Sequence, residues 1–248
     1  MLKEIFLALI QAATEFLPIS SSGHLALISN LIDKPNLFFI STLHLASLLA
    51  VIIFTRKEIW SLLTFKKEYR KMWIYLIVAT IPAALVGFFF NDFVEQAFSS
   101  FAFLGIGFLI TGSILLATKF FKNSSKKFNI KNSIIVGLFQ ALAVFPGVSR
   151  SGSTISAGIF QGLDKEKMAK FSFLLFIPLS LGAFLLESKD GTFTLQLLIP
   201  FIICVLASLL FLNVLTKIIK KDKFWIFGPY CLLLGIILLI IRIFRITF

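Results

Sequence analysis

A chain of 248 residues could hold one or two soluble domains, but 58% hydrophobic residues and a mean hydropathy of +0.97 exclude a soluble fold. The apolar runs are too long for barrel strands of alternating polarity, so the expected class is an all-α integral membrane protein. The formal charge of +12 lies in short loops between those runs, which reads as membrane topology and excludes a basic face for nucleic acid.

The chain starts with Lys3 and an apolar core, a weak signal-peptide look. Glu15 and a polar stretch follow without a small-residue cleavage site, so the segment is expected to belong to the fold. That stretch is Gln11-Ala-Ala-Thr14-Glu15-Phe-Leu-Pro18-Ile-Ser20-Ser21-Ser22-Gly23-His24. A carboxylate, three consecutive hydroxyls and an imidazole at membrane depth are costly unless they face a cavity or a ligand, so they mark a site. Pro18 divides residues 1–32 into two apolar pieces, each short of the roughly 20 residues that cross a hydrocarbon core. The spacing predicts a re-entrant hairpin, whose irregular backbone must be buried in protein or line a cavity.

Pro35 precedes a span near 37–54, and the polar loop from Arg56 to Lys71 leads to spans near 72–90 and 101–118, separated by Asp92 and Glu95. These complete a first repeat over 1–118. A basic linker, 119–132, joins it to a second repeat over 133–248, with a hairpin over 133–163 and spans near 171–187, 195–216 and 225–241. The second hairpin carries Gln140-Ala-Leu-Ala-Val-Phe145-Pro146-Gly147-Val-Ser149-Arg150-Ser151-Gly152-Ser153-Thr154, which repeats the first motif at an offset of 129 residues. Gln11 falls on Gln140, Ser20 on Ser149, Ser22 on Ser151 and Gly23 on Gly152, while Ser21 becomes Arg150 and Glu15 becomes Val144. One copy carries the acid and the other the base.

Three spans per half force the second copy to insert upside down, an inverted-topology repeat of the transporter type. Loops 56–71, 119–131, 164–170 and 217–223 hold eighteen of the twenty-four Lys and Arg, and are expected on the cytoplasmic side. Lys3, Lys34, Lys189, Arg242 and Arg245 fall elsewhere. The two hairpins then enter from opposite faces, and their polar tips should meet near the midplane. Cys204 and Cys231 lie in apolar segments without metal-ligand spacing and read as small core residues.

In the tips, Arg150 offers a planar fork of donors suited to phosphate oxygens. Ser149, Ser151, Gly152, Ser153 and Thr154 follow a Pro-Gly turn and open a helix, where hydroxyls and N–H groups either cap the helix or converge on an anion. Glu15, with Gln11 one turn earlier, can bind a divalent cation, act as general base, or pair with Arg150. Ser21 and His24 share a turn close enough for a nucleophile and base, or for phosphate binding. His44 either packs in the core or reaches the cavity. Nucleotide-binding, zinc-protease and dinucleotide signatures are absent from the sequence, which leaves anion chemistry at a membrane-embedded site.

The stretch Thr14-Glu-Phe-Leu-Pro-Ile-Ser-Ser-Ser-Gly-His24 together with Pro146-Gly-Val-Ser-Arg-Ser-Gly-Ser-Thr154 resembles the bacitracin-resistance type undecaprenyl-diphosphatase family over the whole chain. The resemblance implies hydrolysis of undecaprenyl diphosphate to the monophosphate, recycling the cell-wall lipid carrier. It also implies a multi-pass protein of the plasma membrane with an active site open to the external face. Its partners would be a polyprenyl diphosphate and the lipid bilayer, with no nucleic acid; assembly as a homodimer is left open. By match, Glu15 is the essential acid, Ser21 the nucleophile or a phosphate ligand, and His24 the acid/base. Ser149, Arg150 and Thr154 form the diphosphate clamp, with Ser20, Ser22, Gly23, Ser151 and Gly152 at the substrate. A divalent cation, Mg2+ or Ca2+, is expected at Glu15 and Gln11.

The chain departs from the family pattern where Gln11 stands for a glutamate, Ala12 for a glycine, Ile40 for an acidic residue and Ala46 for a glycine. Glutamine keeps an oxygen but loses a charge, so these departures bear on turnover rather than on fold. The rival expectation is a carrier of polyprenyl phosphates or other anionic lipids on the same inverted repeat.

Overall fold

The computed structural model describes residues 1–31, 37–67, 69–121, 126–187 and 194–246. Among them the regular structure is helical: α1 (Leu2–Phe16), α2 (Ser21–Leu31), α3 (Leu37–Phe54), α4 (Arg56–Leu63), α5 (Arg70–Phe89), α6 (Asn91–Phe98), α7 (Phe101–Ala117), α8 (Ile130–Leu142), α9 (Arg150–Phe160), α10 (Lys165–Glu187), α11 (Leu195–Lys220) and α12 (Gly228–Ile246), with 3-10 turns at Thr118–Phe120 and Phe224–Phe227. Lys34, Pro35, Lys189, linker residues 122–125 and the Arg245 side chain lie outside the described part.

Among the described residues, five helical segments are long and apolar enough to cross a membrane, and a sixth is added if α3 is counted with α4, which it meets at a 75° bend. Exposed Ile74, Ile77, Ile81 and Leu85 of α5, and Leu198, Ile202, Leu206 and Leu210 of α11, recur every three or four residues. Such stripes, turned away from the core, suit hydrocarbon rather than water. The protein is a multi-pass membrane protein.

At 15 residues, α1 is short for a span. It stops because Leu17 is extended (φ −60°, ψ 139°), as the residue before a proline tends to be. Ser20, at φ 69°, then turns the chain into α2. The second hairpin runs from α8, opened by a reciprocal Asn129/Asn132 capping box, to α9, and its base is closed by Asn132 Nδ2 donating to Gln161 Oε1 at 2.7 Å.

Around these hairpins α1 packs on α11, α8 on α5, α3 on α10 and α11, and α7 on α12. The α7–α12 seam is tight because it is built from small residues. A Cβ on Gly112 would stand 2.8 Å from the Gly228 carbonyl oxygen, and one on Gly105 would stand 3.0 Å from that of Gly235.

The basic loops gather at one end of the bundle. Lys170 meets Glu58 at 2.6 Å, Lys165 meets Asp222 at 2.7 Å and Lys220 meets Glu166 at 3.5 Å. The Lys126 N–H donates to the Gly162 carbonyl, and Lys119 lies over the Trp225 ring at 4.7 Å. The apolar spans near 171–187 and 195–216 are extended here by charged turns: α10 starts at Lys165 and α11 runs to Lys220. Hydropathy marks only the part that crosses hydrocarbon, whereas Lys217 and Lys220 favour the carbonyl end of α11.

Single cysteines replacing Lys66, Lys127, Lys167 and Lys221 should therefore be labelled from one face of sealed vesicles, and one replacing Gln96 in α6 from the other. Labelling of Gln96 and the four lysine positions from the same face would contradict this arrangement.

Candidate active site

The two hairpin tips touch each other. A Cβ on Gly23 would lie 2.6 Å from Phe108 Cζ and 2.9 Å from Gly147 Cα, so only glycine permits the approach. Gly147 has φ +88°, and a Cβ there would stand 2.6 Å from the Leu104 carbonyl oxygen. The Thr111 hydroxyl secures this turn by donating to the Gly147 carbonyl at 2.8 Å and accepting from the Ser149 N–H at 2.9 Å. Ser151 Oγ reaches the Phe16 carbonyl at 3.3 Å, and Gly152 packs on Pro18.

Across this contact lies a buried ion pair. Glu15 Oε1 accepts from Arg150 Nη2 at 2.9 Å. Its other oxygen, Oε2, accepts from the Ser21 hydroxyl at 2.6 Å and from Gln11 Nε2 at 3.1 Å. Arg150 Nη1 donates to the Ser172 carbonyl at 3.1 Å, and the guanidinium stacks over the Phe176 ring at 4.2 Å, a contact that helps hold a partly desolvated cation. His44 joins from α3: its Nδ1 lies 3.1 Å from Gln11 Nε2 and 3.5 Å from Glu15 Oε2. The Gln11 amide nitrogen is a donor only, so its bond to His44 takes Nδ1 as the acceptor.

The sequence places Ser21 beside His24 as nucleophile and base; the structure pairs each with something else. Ser21 donates to Glu15. His24 Nδ1 lies 2.7 Å from the Ser20 carbonyl and Nε2 lies 2.6 Å from the Tyr230 hydroxyl. His44, left open between core and cavity, is the histidine beside Glu15. Tyr230 and Ser172 carried no sequence signal, because a tyrosine and a serine in apolar spans read as ordinary membrane residues.

The clamp residues are committed locally. Ser149 caps α9 by accepting from the Gly152 N–H at 3.1 Å and lies 3.4 Å from Ser151 Oγ. Ser20 accepts from the Gly23 N–H at 3.3 Å and lies 3.2 Å from Ser22 Oγ. The Thr154 hydroxyl faces the Arg150 carbonyl at 2.9 Å and Ser172 Oγ at 2.7 Å, so it braces the segment carrying Arg150. Thr14 bonds back to the Ile10 carbonyl. Ser153 Oγ is buried with no hydrogen-bond partner. Gln140, which matches Gln11, donates to the Ala79 carbonyl of α5 at 3.0 Å and so serves packing.

A family model described as bacitracin resistance protein BacA matches residues 4–237. The chain belongs to the bacitracin resistance protein BacA family. Among its relatives, the undecaprenyl-diphosphatase of Thermosipho africanus is 43% identical over 243 residues, covering 95% of this chain and 98% of that protein. The undecaprenyl-diphosphatase of Methanococcus vannielii is 41% identical over 240 residues, covering 94% and 96%. That of Halothermothrix orenii is 38% identical over 251 residues, covering 96% and 97%.

The cation expected for this BacA chain at Glu15 and Gln11 can be tested on the donors present. Calcium and magnesium take six or more oxygens, with carboxylates carrying the charge. Here one carboxylate already accepts from Arg150, Ser21 and Gln11, and Arg150 offsets its charge. Beside Glu15, Gln11 Oε1 is one buried oxygen without a hydrogen-bond partner among the described residues, and no three His, Cys, Asp or Glu gather among those residues. This donor set does not fit a resident divalent cation.

Gln11→Glu should change that by adding a second carboxylate one helical turn from Glu15. Calorimetry on the purified variant should give saturable calcium or magnesium binding, while the wild type gives none up to roughly millimolar concentrations. Saturable binding by the wild type would contradict the reading.

Proposed function

We propose that the protein is a membrane phosphatase that hydrolyses undecaprenyl diphosphate to undecaprenyl phosphate and phosphate, and thereby recycles the cell-wall lipid carrier and confers bacitracin resistance. The observation that carries this reading is the Ser21 hydroxyl at 2.6 Å from a Glu15 carboxylate that is itself held by Arg150. A nucleophile, its base and a phosphate-binding cation thus stand together in a buried site. The names of the relatives support the substrate.

In the first step Glu15 Oε2 takes the Ser21 proton as Oγ bonds to the distal phosphorus and the bridging P–O bond breaks. Undecaprenyl phosphate leaves with the electron pair of that bond. Arg150 presents its remaining N–H donors to the phosphoryl oxygens, where charge builds in the transition state. His24 stands one turn beyond Ser21 on α2, so the two are neighbours on the helix surface. Water then attacks the phosphoserine phosphorus as the Oγ–P bond breaks and Glu15 returns its proton to Ser21 Oγ. The water's proton passes to His24 Nε2 as that nitrogen exchanges its hydrogen bond from Tyr230 for the water, and is then lost to the released phosphate. The net reaction consumes one water.

The site is read as part of an inverted repeat, with its basic loops cytoplasmic and its substrate entry on the external face. The pairing of α1 with α11 and of α8 with α5, and the gathering of the basic loops at one end, support that reading.

Purified protein in detergent should release phosphate from undecaprenyl diphosphate, and acid-quenched samples should contain phosphoserine at Ser21 by mass spectrometry. Glu15→Gln should lower turnover by about 10²- to 10⁴-fold, the usual size of a lost general base. Arg150→Lys should lose most activity while remaining folded, because a point charge does not reproduce the fork. A Ser21→Ala variant with near-normal turnover and no adduct in the wild type would overturn the serine route.

A further inference from the structure

We infer that Tyr230 is a positioning residue for His24, an inference that rests on the phosphatase reading of the site. The contact spans 206 positions of sequence. The Tyr230 hydroxyl lies 2.6 Å from His24 Nε2, and the two rings are nearly parallel, 6° apart in tilt with centroids 5.8 Å apart. Phe108 closes the imidazole from the side, edge-on at 5.2 Å. This seat comes from the way α12 begins. Gly228 is pressed against the Gly112 carbonyl of α7, Tyr230 follows two residues later, and the next residue, Cys231, places its Sγ 3.9 Å from the Pro18 carbonyl. The first turn of α12 therefore docks on the tip of the first hairpin at two adjacent residues.

Donor and acceptor chemistry fixes what this contact does. The Ser20 carbonyl is an acceptor only, and the left-handed Ser20 backbone, φ 69°, aims it at His24 Nδ1 at 2.7 Å. Nδ1 therefore carries a proton. A second proton on Nε2 would make a buried imidazolium, and no carboxylate forms an ion pair with His24 among the described residues. Burying an uncompensated charge is costly, so the ring is neutral. Nε2 is then the nitrogen without a proton, and the Tyr230 hydroxyl, which can donate or accept, is the donor to it.

The Ser20 carbonyl thus fixes the tautomer, and Tyr230, by donating to Nε2, reinforces it and holds the ring plane against rotation. Tyr230 does so without belonging to either hairpin motif. The fixed ring has a counterpart of opposite sense in the same site: His44 Nδ1 accepts from the Gln11 amide at 3.1 Å. The Ser20 carbonyl, an acceptor only, and the Gln11 amide nitrogen, a donor only, thus favour opposite tautomers at the protein's two histidines.

Tyr230→Phe keeps the ring stack and removes only the hydroxyl. Protein labelled with 15N-histidine should show, in the wild type, one ring protonated on Nδ1 and one on Nε2. In the variant, the His24 Nε2 signal should move toward that of a nitrogen with no hydrogen bond while those of His44 stay in place. Phosphate release on the same samples should show kcat lowered about tenfold, as for one lost hydrogen bond, with KM within about twofold. An unchanged His24 spectrum, or a changed spectrum with unchanged kcat, would overturn the inference. A silent wild type would instead defeat the phosphatase reading, and the spectra would still decide whether Tyr230 holds His24 Nε2.

Discussion

A charge pair buried between two helical-hairpin turns governs this molecule. Glu15 and Arg150 come from different hairpins, 135 positions apart, and meet at 2.9 Å. Neither ion would be stable there alone, since an uncompensated buried charge costs several kcal/mol. Each is therefore the condition for the other, and the hairpins must fold against one another for either to be tolerated. The supporting contacts follow from that demand: the Ser21 and Gln11 donors on the carboxylate, and Phe176 beneath and the Ser172 carbonyl beside the guanidinium.

Close approach of the two turns is the second constraint. Gly23 and Gly147 remove the side chains that would hold the backbones apart, and Thr111 ties the Gly147 turn to the start of α9. Serines at equivalent places, Ser20 and Ser149, satisfy the first free N–H groups of α2 and α9 by accepting from Gly23 and Gly152. The duplicated motif is in this sense two copies of one helix-starting turn, differentiated at the positions where Ser21 and Arg150 stand.

Much of this was legible in the sequence. Hydropathy marked the chain as a helical membrane protein, and the offset of 129 residues singled out the two polar turns and separated the acid from the base. What a linear motif does not carry is direction. Ser21 and His24 are three residues apart, yet Ser21 faces Glu15 while His24 faces Tyr230. His44 and Tyr230 looked like ordinary residues of apolar helices, because their roles depend on which face of α3 and α12 meets the first hairpin. Thr154 and Ser149 fitted an anion clamp by type, whereas their hydroxyls are spent on the backbone and on Ser172. Gln11 stands out by resemblance as a lost charge. In the site its amide does something a carboxylate would not, donating to Glu15 and His44 at once.

The most direct test of the central claim is a double-mutant cycle on thermal unfolding of the purified protein, using Glu15→Gln, Arg150→Met and the pair together. Each single change leaves one buried charge without its partner and should cost about 3–5 kcal/mol. The double variant leaves neither charge, so its loss should fall short of the sum of the singles by about 2 kcal/mol or more. Losses that add to within about 0.5 kcal/mol would show that the two residues do not sense each other, and would contradict the account.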